Sequence, residues 1–315
     1  MAERRVGPDQ LRALLLALVI FGHTIPATVS DDLTKWIMYS FHMPLFLALS
    51  GSLLSISRIS SRGLGATIQH YARRMGWQWL LATVIFMAVR DRWPINASQV
   101  LSRVITDPYF HLWFVPALVF MVLLTWTLGR LQRGIGSVLL VGAVGWVLFD
   151  AAQIQFLSDA FHANNVDYRF IGFYLWFGLG MAASLGLLHR FELVAPFLSV
   201  IGIVGVTLSF GSSGWLRDVS VLLLNFSLIT VLPHFFRSLD RPVPFFGTAL
   251  ALVGKYSLWI YLLHPLATSL LKDNASSPYA NPLGGLALTA GILTFSAGCA
   301  WAFERIRPTA SATPR

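Results

Sequence analysis

The stretch LRALLLALVIFGH, Leu11 to His23, has the composition of a membrane-spanning helix, yet it carries an arginine near its start and a histidine at its end. In a helix, the eleven residue steps from Arg12 to His23 make three full turns to within about 20° and rise about 16 Å. Because an ionisable side chain inside a span is costly, it is a functional hypothesis by default. The sequence therefore predicts a polar stripe along the first span, although Arg12 alone also fits an arginine that snorkels to the interface.

The composition of the whole chain indicates an integral membrane protein. Apolar residues make up 56% and charged residues only 12%, and the mean hydropathy is +0.66, whereas soluble domains have about 25% charged residues. The formal net charge of +9 is interpreted as a topology signal, and no nucleic-acid partner is expected. The single cysteine, Cys299, provides neither an intramolecular disulfide nor a cysteine-based metal site, so no metal is expected.

The apolar runs predict ten spans, because a membrane helix needs about 20 mostly apolar residues. They lie at about 11–29, 36–56, 77–90, 111–128, 136–152, 170–188, 193–210, 217–236, 248–272 and 282–303. We therefore predict an all-α polytopic integral membrane protein of about ten transmembrane helices. The spans leave no room for an appended soluble domain, so a single transmembrane domain over 1–315 is expected.

Basic residues set the predicted orientation. With the N-terminus inside, only seven of the 23 lysines and arginines fall on the outer side. These seven are Lys35, Arg90, Arg92, Arg103, Arg169, Arg217 and Lys272. This bias follows the positive-inside rule and predicts that both termini are cytoplasmic, with the first span retained in the cell membrane.

Four of the eight histidines fall at a similar predicted depth, toward the outer side of the membrane. They are His23, His42, His111 and His264. His42 and His264 each have a proline within two residues, and a proline loosens the helical hydrogen-bond ladder where a pocket could open. For each histidine alone, an interfacial or interhelical hydrogen-bonding role is the alternative.

Histidine suits one reaction in particular. Neutral imidazole is a natural general base near pH 7, as needed when an acyl group moves from a thioester to a hydroxyl. The arginines at 58–74 are explained as topology determinants, or equally as ligands for the phosphates of an anionic donor. A Walker-type phosphate loop, HExxH and GxSxG are all absent from the sequence.

Four motifs, in chain order, resemble those of the acyltransferase 3 family of polytopic membrane O-acyltransferases. They are RVGPDQLRALLLALVIFGH, FHMPLFLALSG, HLWFVPAL and YSLWIYLLHPL. In this family a basic residue, ten intervening residues and a histidine mark the first span, and Arg12 and His23 have that spacing. The resemblance is to the branch that acetylates sugars of surface polysaccharides or lipid-linked glycans.

The resemblance implies specific roles for residues and substrates. His23 would be the catalytic histidine and Arg12 its companion. The other motifs supply candidate pocket residues: His42, Ser50, His111, Trp113 and His264. The donor would be an acyl-CoA, commonly acetyl-CoA, used as a co-substrate with no bound cofactor. The acceptor would be a carbohydrate or lipid-linked glycan hydroxyl at the bacterial cytoplasmic membrane.

The donor-binding motif departs from the family pattern. Many members have two arginines separated by two residues after the second span, whereas HYARRMGW places Arg73 and Arg74 next to each other. Both are the candidates for the phosphates of the donor. No fused extracytoplasmic domain is expected, which corresponds to the stand-alone type of the family.

Two other classes of function stay open from the sequence. A transporter or flippase for a glycan or lipid-linked sugar would use the histidines as proton relays. A haem or quinone protein would need paired ligands at one depth, which His42 and His264 could supply.

Overall fold

The structure is a computed structural model. It describes residues 6–25, 27–90, 108, 111–131, 134–151, 169–240, 247–272 and 282–306. The helices are α1 Gly7–Thr24, α2 Leu33–Ser52, α3 Ile56–Ser60, α4 Leu64–Tyr71, α5 Trp77–Arg90, α6 Phe114–Arg130, α7 Ile135–Ala151, α8 Arg169–Gly172, α9 Tyr174–Ser184, α10 Ala195–Leu208, α11 Trp215–Thr230, α12 Leu232–Leu239, α13 Gly247–Lys255, α14 Ser257–Lys272 and α15 Pro282–Ile306. Across these ranges every regular element is helical, so the all-α prediction is confirmed.

Each predicted span contains a helix, but several boundaries differ. The first was predicted to reach residue 29, whereas α1 ends at Thr24 and Ile25 is extended. The helix of the third span, α5, is preceded without interruption by α4 and a π-helical turn at Ala72–Gly76, both of which lie before the predicted apolar run. The sixth, eighth and ninth are each divided into two helices.

Taken singly, no helix in the described part of the chain is long and apolar enough to cross a bilayer. Two bent pairs, Trp215–Thr230 with Leu232–Leu239 and Ala249–Lys255 with Ser257–Thr268, meet that test together by length and composition.

The chain forms two compact units. The first consists of Met1–Ala27 with Phe235–Arg315, and the second of Thr28–His234. Within the first unit, α1 packs against α13, α14 and α15. Leu16 and Ile20 of α1 are fully buried.

Local sequence explains where α1 begins. Pro8 occupies the first turn, where its missing N–H breaks no helical hydrogen bond. The N–H of Gly7 donates to Oδ1 of Asp240 at 2.8 Å, which satisfies one of the unpaired groups at the helix start. The segment that follows α12 therefore anchors the beginning of α1.

In the second unit, α2 and α9 approach each other at glycines. A Cβ on Gly180 would overlap the carbonyl of Ala48, and one on Gly51 would overlap the carbonyl of Phe177. Only a residue without a side chain allows this approach between helix backbones. The two glycines therefore fix how α2, which carries His42 and Ser50, lies against α9.

We expect Gly180→Ala to destabilise the protein by about 1–3 kcal/mol, because the added methyl group must separate α2 from α9. The measurement is the thermal unfolding midpoint in detergent. The matched control is Gly136→Ala in α7, an exposed position with no atom within 4 Å of the added Cβ. Equal midpoints for the two variants would contradict the proposed tight contact.

Candidate active site

Arg12 forms an ion pair within α1. Its Nη1 donates to Oδ1 of Asp9 at 2.8 Å, and the side chains are 24% and 8% exposed. The Asp9 carboxylate also lies in the first turn of α1, where the helix dipole favours a negative charge. Sequence reasoning missed Asp9, although its spacing of three residues from Arg12 could have identified it as a partner.

His23 lies in the last turn of α1, in contact with His264 of α14. The two ring centroids are 5.2 Å apart and the ring planes are tilted by 48°. The side chain of His264 is 0% exposed, whereas His23 is half-buried. The structure thus brings together two of the four histidines singled out in the sequence, one accessible and one enclosed.

The orientation of the His264 ring is set by its own helix. Its Nδ1 lies 2.8 Å from the carbonyl oxygen of Tyr261. Because a carbonyl oxygen can only accept, Nδ1 carries the hydrogen of this bond, and in the neutral ring Nε2 keeps the lone pair.

Pro265 explains why the Tyr261 carbonyl accepts from a side chain. In a continuous helix this oxygen accepts from the N–H four residues later, but that residue is Pro265, which has no N–H. The imidazole of His264 takes the place of the missing donor. The histidine and the proline after it therefore act as one structural unit.

The third helix beside His23 is α15. A Cβ on Gly285 would lie 2.9 Å from Oγ1 of Thr24, the residue after His23. The Thr24 hydroxyl itself donates to the Phe21 carbonyl at 2.8 Å. The end of α1 is therefore closely packed on the α15 side.

His42 and Ser50 lie on α2 in the second unit. His42 is buried, with Nδ1 2.7 Å from the Met38 carbonyl and its ring 4.8 Å from that of Tyr39. The Ser50 hydroxyl donates to the Phe46 carbonyl at 3.0 Å. Both polar groups therefore have hydrogen-bond partners on their own helix.

A proline also frees a carbonyl in α2. Pro44 has no N–H for the carbonyl of Ser40, four residues earlier. The amide of Asn225 in α11 donates to that oxygen at 2.8 Å. Here the freed carbonyl joins two helices.

The segment with His111 and Trp113 is enclosed by aromatic residues. The ring of His111 lies 5.2 Å from that of Phe86 in α5, and the indole N–H of Trp79 donates to the Leu112 carbonyl at 2.9 Å. The guanidinium of Arg169 lies 4.6 Å from the centroid of the Trp113 ring. Both His111 and Trp113 are buried.

Basic side chains converge around the loop between α3 and α4. The indole N–H of Trp126 donates to the Arg62 carbonyl at 2.8 Å, and Nη2 of Arg130 donates to the same oxygen at 3.4 Å. The guanidinium of Arg130 also covers the Trp126 ring at 5.5 Å. These contacts hold the last turn of α6 next to Arg62.

His70 extends this group of charges. Partial burial lowers the pKa of His70 below its ordinary value of 6.5, and the positive charges of Arg62 and Arg74 lower it further. Burial raises the pKa of Tyr71, an effect that the same two arginines oppose. We name Arg62, His70, Arg74 and Arg130 the basic cluster.

The predicted site residues divide between the two units. Arg12, His23 and His264 belong to the first unit, and His42, Ser50, Arg73, Arg74, His111 and Trp113 to the second. Arg73 and Arg74 both lie in the π-helical turn Ala72–Gly76 and are exposed. The roles of all these residues stay predictions, as does the single-domain organisation.

Within the described ranges, no group of three or more His, Cys, Asp or Glu side chains is arranged so that it could hold a metal ion.

A family comparison agrees with this set of motifs. The model of the acyltransferase 3 family, described as an acyltransferase domain, matches residues 5–304. The chain belongs to the acyltransferase 3 family, which supports a membrane acyltransferase with an acyl donor and an acceptor. Searches of curated proteins and of solved structures found no match.

We expect Arg74→Gln to raise the pKa of His70, because loss of the nearby positive charge makes protonation of the imidazole less costly. The measurement is a pH titration of the His70 ring signals by NMR in histidine-labelled protein. Arg73→Gln, one residue away in the same turn, is the control and should shift the pKa less. A larger shift from Arg73→Gln would contradict this placement of the charges.

Proposed function

We propose that the protein is an acyl-CoA-dependent O-acyltransferase of the cell membrane, with acetyl-CoA as donor and a carbohydrate or lipid-linked glycan hydroxyl as acceptor. His23 is the general base. The observation that carries this proposal is the half-buried imidazole of His23, which lies against a fully buried second histidine in a chain of this family. The sugar acceptor follows from the resemblance of the four motifs to the sugar-acetylating branch.

In the proposed reaction, a nitrogen of His23 takes the proton of the acceptor hydroxyl as its oxygen attacks the thioester carbonyl carbon. The new C–O bond forms and the C–S bond breaks. The imidazolium returns its proton to the departing thiolate, so the products are the ester and free coenzyme A. No net proton is gained or lost, and the base is regenerated for the next cycle.

Accessibility favours His23 over the buried histidines for this role. A base must reach the hydroxyl proton at hydrogen-bond distance. His42 and His264 are 4% and 0% exposed, and each has Nδ1 next to a backbone carbonyl. His23 is half-buried, so part of its ring is open to a substrate.

The basic cluster is the proposed site for the phosphates of the donor. Guanidinium groups make short, charge-assisted hydrogen bonds to phosphate oxygens. Arg62, Arg74 and Arg130 are exposed, and their backbone and ring contacts place two of them next to the same loop. Of the two candidates Arg73 and Arg74, we assign the larger share of this role to Arg74, because it acts on His70 together with Arg62.

We expect His23→Ala to lower kcat by about 100-fold or more, the usual range for loss of a general base. The assay follows transfer of label from radiolabelled acetyl-CoA to oligosaccharides added to purified protein in lipid nanodiscs. The control is His189→Gln, which removes an exposed histidine whose Nδ1 also lies next to a carbonyl three residues earlier.

Retention of full transfer by His23→Ala would exclude His23 as the base. If the wild-type protein neither binds nor turns over acetyl-CoA, the proposed donor is wrong. If His23→Ala moves a glycan across the membrane but no longer modifies it, chemistry and transport are separate functions of the same chain.

We expect Arg74→Gln to raise the KM for acetyl-CoA by about tenfold, because one charge-assisted hydrogen bond contributes about 1.5 kcal/mol at the low end of its range. The diagnostic control is S-acetylpantetheine, which lacks all the phosphates of the donor. With that substrate, wild type and Arg74→Gln should have equal KM values. A tenfold difference that persists with S-acetylpantetheine would contradict phosphate binding at Arg74.

A further inference from the structure

An arginine in the first turn of α11 lies on an aromatic ring of α2. The guanidinium carbon of Arg217 is 5.0 Å from the centroid of the Trp36 ring. Trp36 is itself fixed, because its indole N–H donates to the Val206 carbonyl of α10 at 2.8 Å and the ring of Phe210 packs edge-on against it at 6.0 Å. Trp36 is only 6% exposed, so it forms a rigid platform for the half-buried side chain of Arg217.

The guanidinium of Arg217 has no acceptor among the described residues. Its Nε is buried without a hydrogen-bond partner, and its contact within the described chain is the one with Trp36. Arg12 and Arg130 differ, because they donate to the Asp9 carboxylate and the Arg62 carbonyl. A guanidinium has five N–H donors and suits the oxygens of carboxylates and phosphates. Arg217 is therefore a charged fork that an aromatic ring holds in place for an anion.

The predicted topology places Arg217 at the level of lipid phosphates. Arg217 is the first residue of the eighth predicted span, 217–236, and one of only seven basic residues on the outer side. The positive-inside rule gives no reason for a basic residue there. Because the polar headgroups of a bilayer lie at the ends of the spans, the anion nearest to Arg217 in a membrane is the phosphate of a lipid.

We propose that Arg217, stacked on Trp36, binds the phosphate that joins a lipid-linked glycan acceptor to its lipid. This assignment of the acceptor rests on the proposed function. The site selects the lipid-linked form of the glycan over the same glycan without a phosphate. Trp36 contributes by holding the guanidinium plane, so that little side-chain freedom is lost when the phosphate binds.

Local charge argues against general attraction of anionic lipids to this site. Such attraction takes a cluster of several basic residues. In the segments that surround the pair, the two basic residues Lys35 and Arg217 are outnumbered by three acidic ones, Asp31, Asp32 and Asp218. Recognition therefore depends on the geometry of one fork, and the ligand gains its remaining affinity from the attached glycan and lipid chain.

The first test measures binding without chemistry. Radiolabelled farnesyl phosphate, a short polyprenyl phosphate, is titrated against purified protein in phosphatidylcholine nanodiscs. We expect Arg217→Gln to weaken binding about tenfold, through loss of a charge-assisted hydrogen bond. Arg217→Lys should recover only part of this loss, because lysine keeps the charge but not the fork. The control is Arg190→Gln, which removes an exposed guanidinium 4.8 Å from the Phe191 ring and should bind as wild type does.

Three results of the binding test would count against the proposal. Equal binding by wild type, Arg217→Gln and Arg217→Lys would exclude phosphate recognition at this residue. Farnesol has no phosphate, so displacement by farnesol as effective as that by unlabelled farnesyl phosphate would exclude it as well. Equally effective displacement by phosphatidylglycerol would assign the site to a membrane headgroup and overturn the role in acceptor binding.

The second test follows acetyl transfer to one oligosaccharide in two forms, free and joined to a polyprenyl diphosphate. Arg217→Gln should raise the KM for the lipid-linked form about tenfold and leave kcat and the KM values for the free form and for acetyl-CoA unchanged. An equal rise for both forms, or a loss confined to kcat, would contradict phosphate recognition. If wild type transfers no acetyl group while binding of farnesyl phosphate still depends on Arg217, the proposed function fails and the phosphate site stands.

Discussion

Close contact between helix backbones at glycine is the constraint on which the position of the proposed base depends. A Cβ on Gly254 of α13 would overlap the Asp9 carbonyl at the start of α1, and one on Gly285 of α15 would press on Thr24 at its end. In a lipid environment helices gain little from apolar burial against one another, so close packing at small residues contributes much of their association. The start of α1 is therefore held against the backbone of α13, and its end packs on α15 through the Thr24 side chain. Arg12 and His23 lie near those two ends.

Two prolines provide polar acceptors inside the helices. Pro265 frees the carbonyl of Tyr261, which accepts from His264, and Pro44 frees the carbonyl of Ser40, which accepts from Asn225. An unpaired carbonyl in an apolar interior is destabilising, so each freed oxygen must find a donor. In one helix the donor is the adjacent histidine, and in the other it is a side chain of a different helix. The cost of interrupting the hydrogen-bond ladder is thus offset by a fixed side-chain contact.

The positions of most helices followed from the apolar runs, because each run long enough for a span contains a helix, whereas α3 and α4 lie between the second and third predicted spans. Arg12 and His23 lie on the same helix, as the sequence predicted. The breaks after Thr230 and Lys255 were not predicted, although Pro233 follows the first break closely and Gly254 precedes the second. The contact between His23 and His264 could not be predicted from the sequence either, because a similar depth in the membrane does not identify which helices are neighbours.

For the arginines, adjacency in the sequence suggested that Arg73 and Arg74 act together. The positive charges that lower the pKa of His70 are instead those of Arg62 and Arg74, on two separate segments.

Arg12 was predicted to act together with His23, and the structure shows that Arg12 also has an ion-pair partner, Asp9, on its own helix. A lone arginine inside a span would carry an uncompensated charge, but Asp9 neutralises it over one turn of the same helix. Because Asp9 is buried and its backbone carbonyl lies against Gly254, the carboxylate is held by packing, and it holds the guanidinium in turn. Arg12 is thereby an ion-paired group near one end of α1, and His23 near the other end lies in ring contact with His264. In both cases a more exposed ionisable side chain lies against a buried residue, so neither group of the polar stripe is isolated.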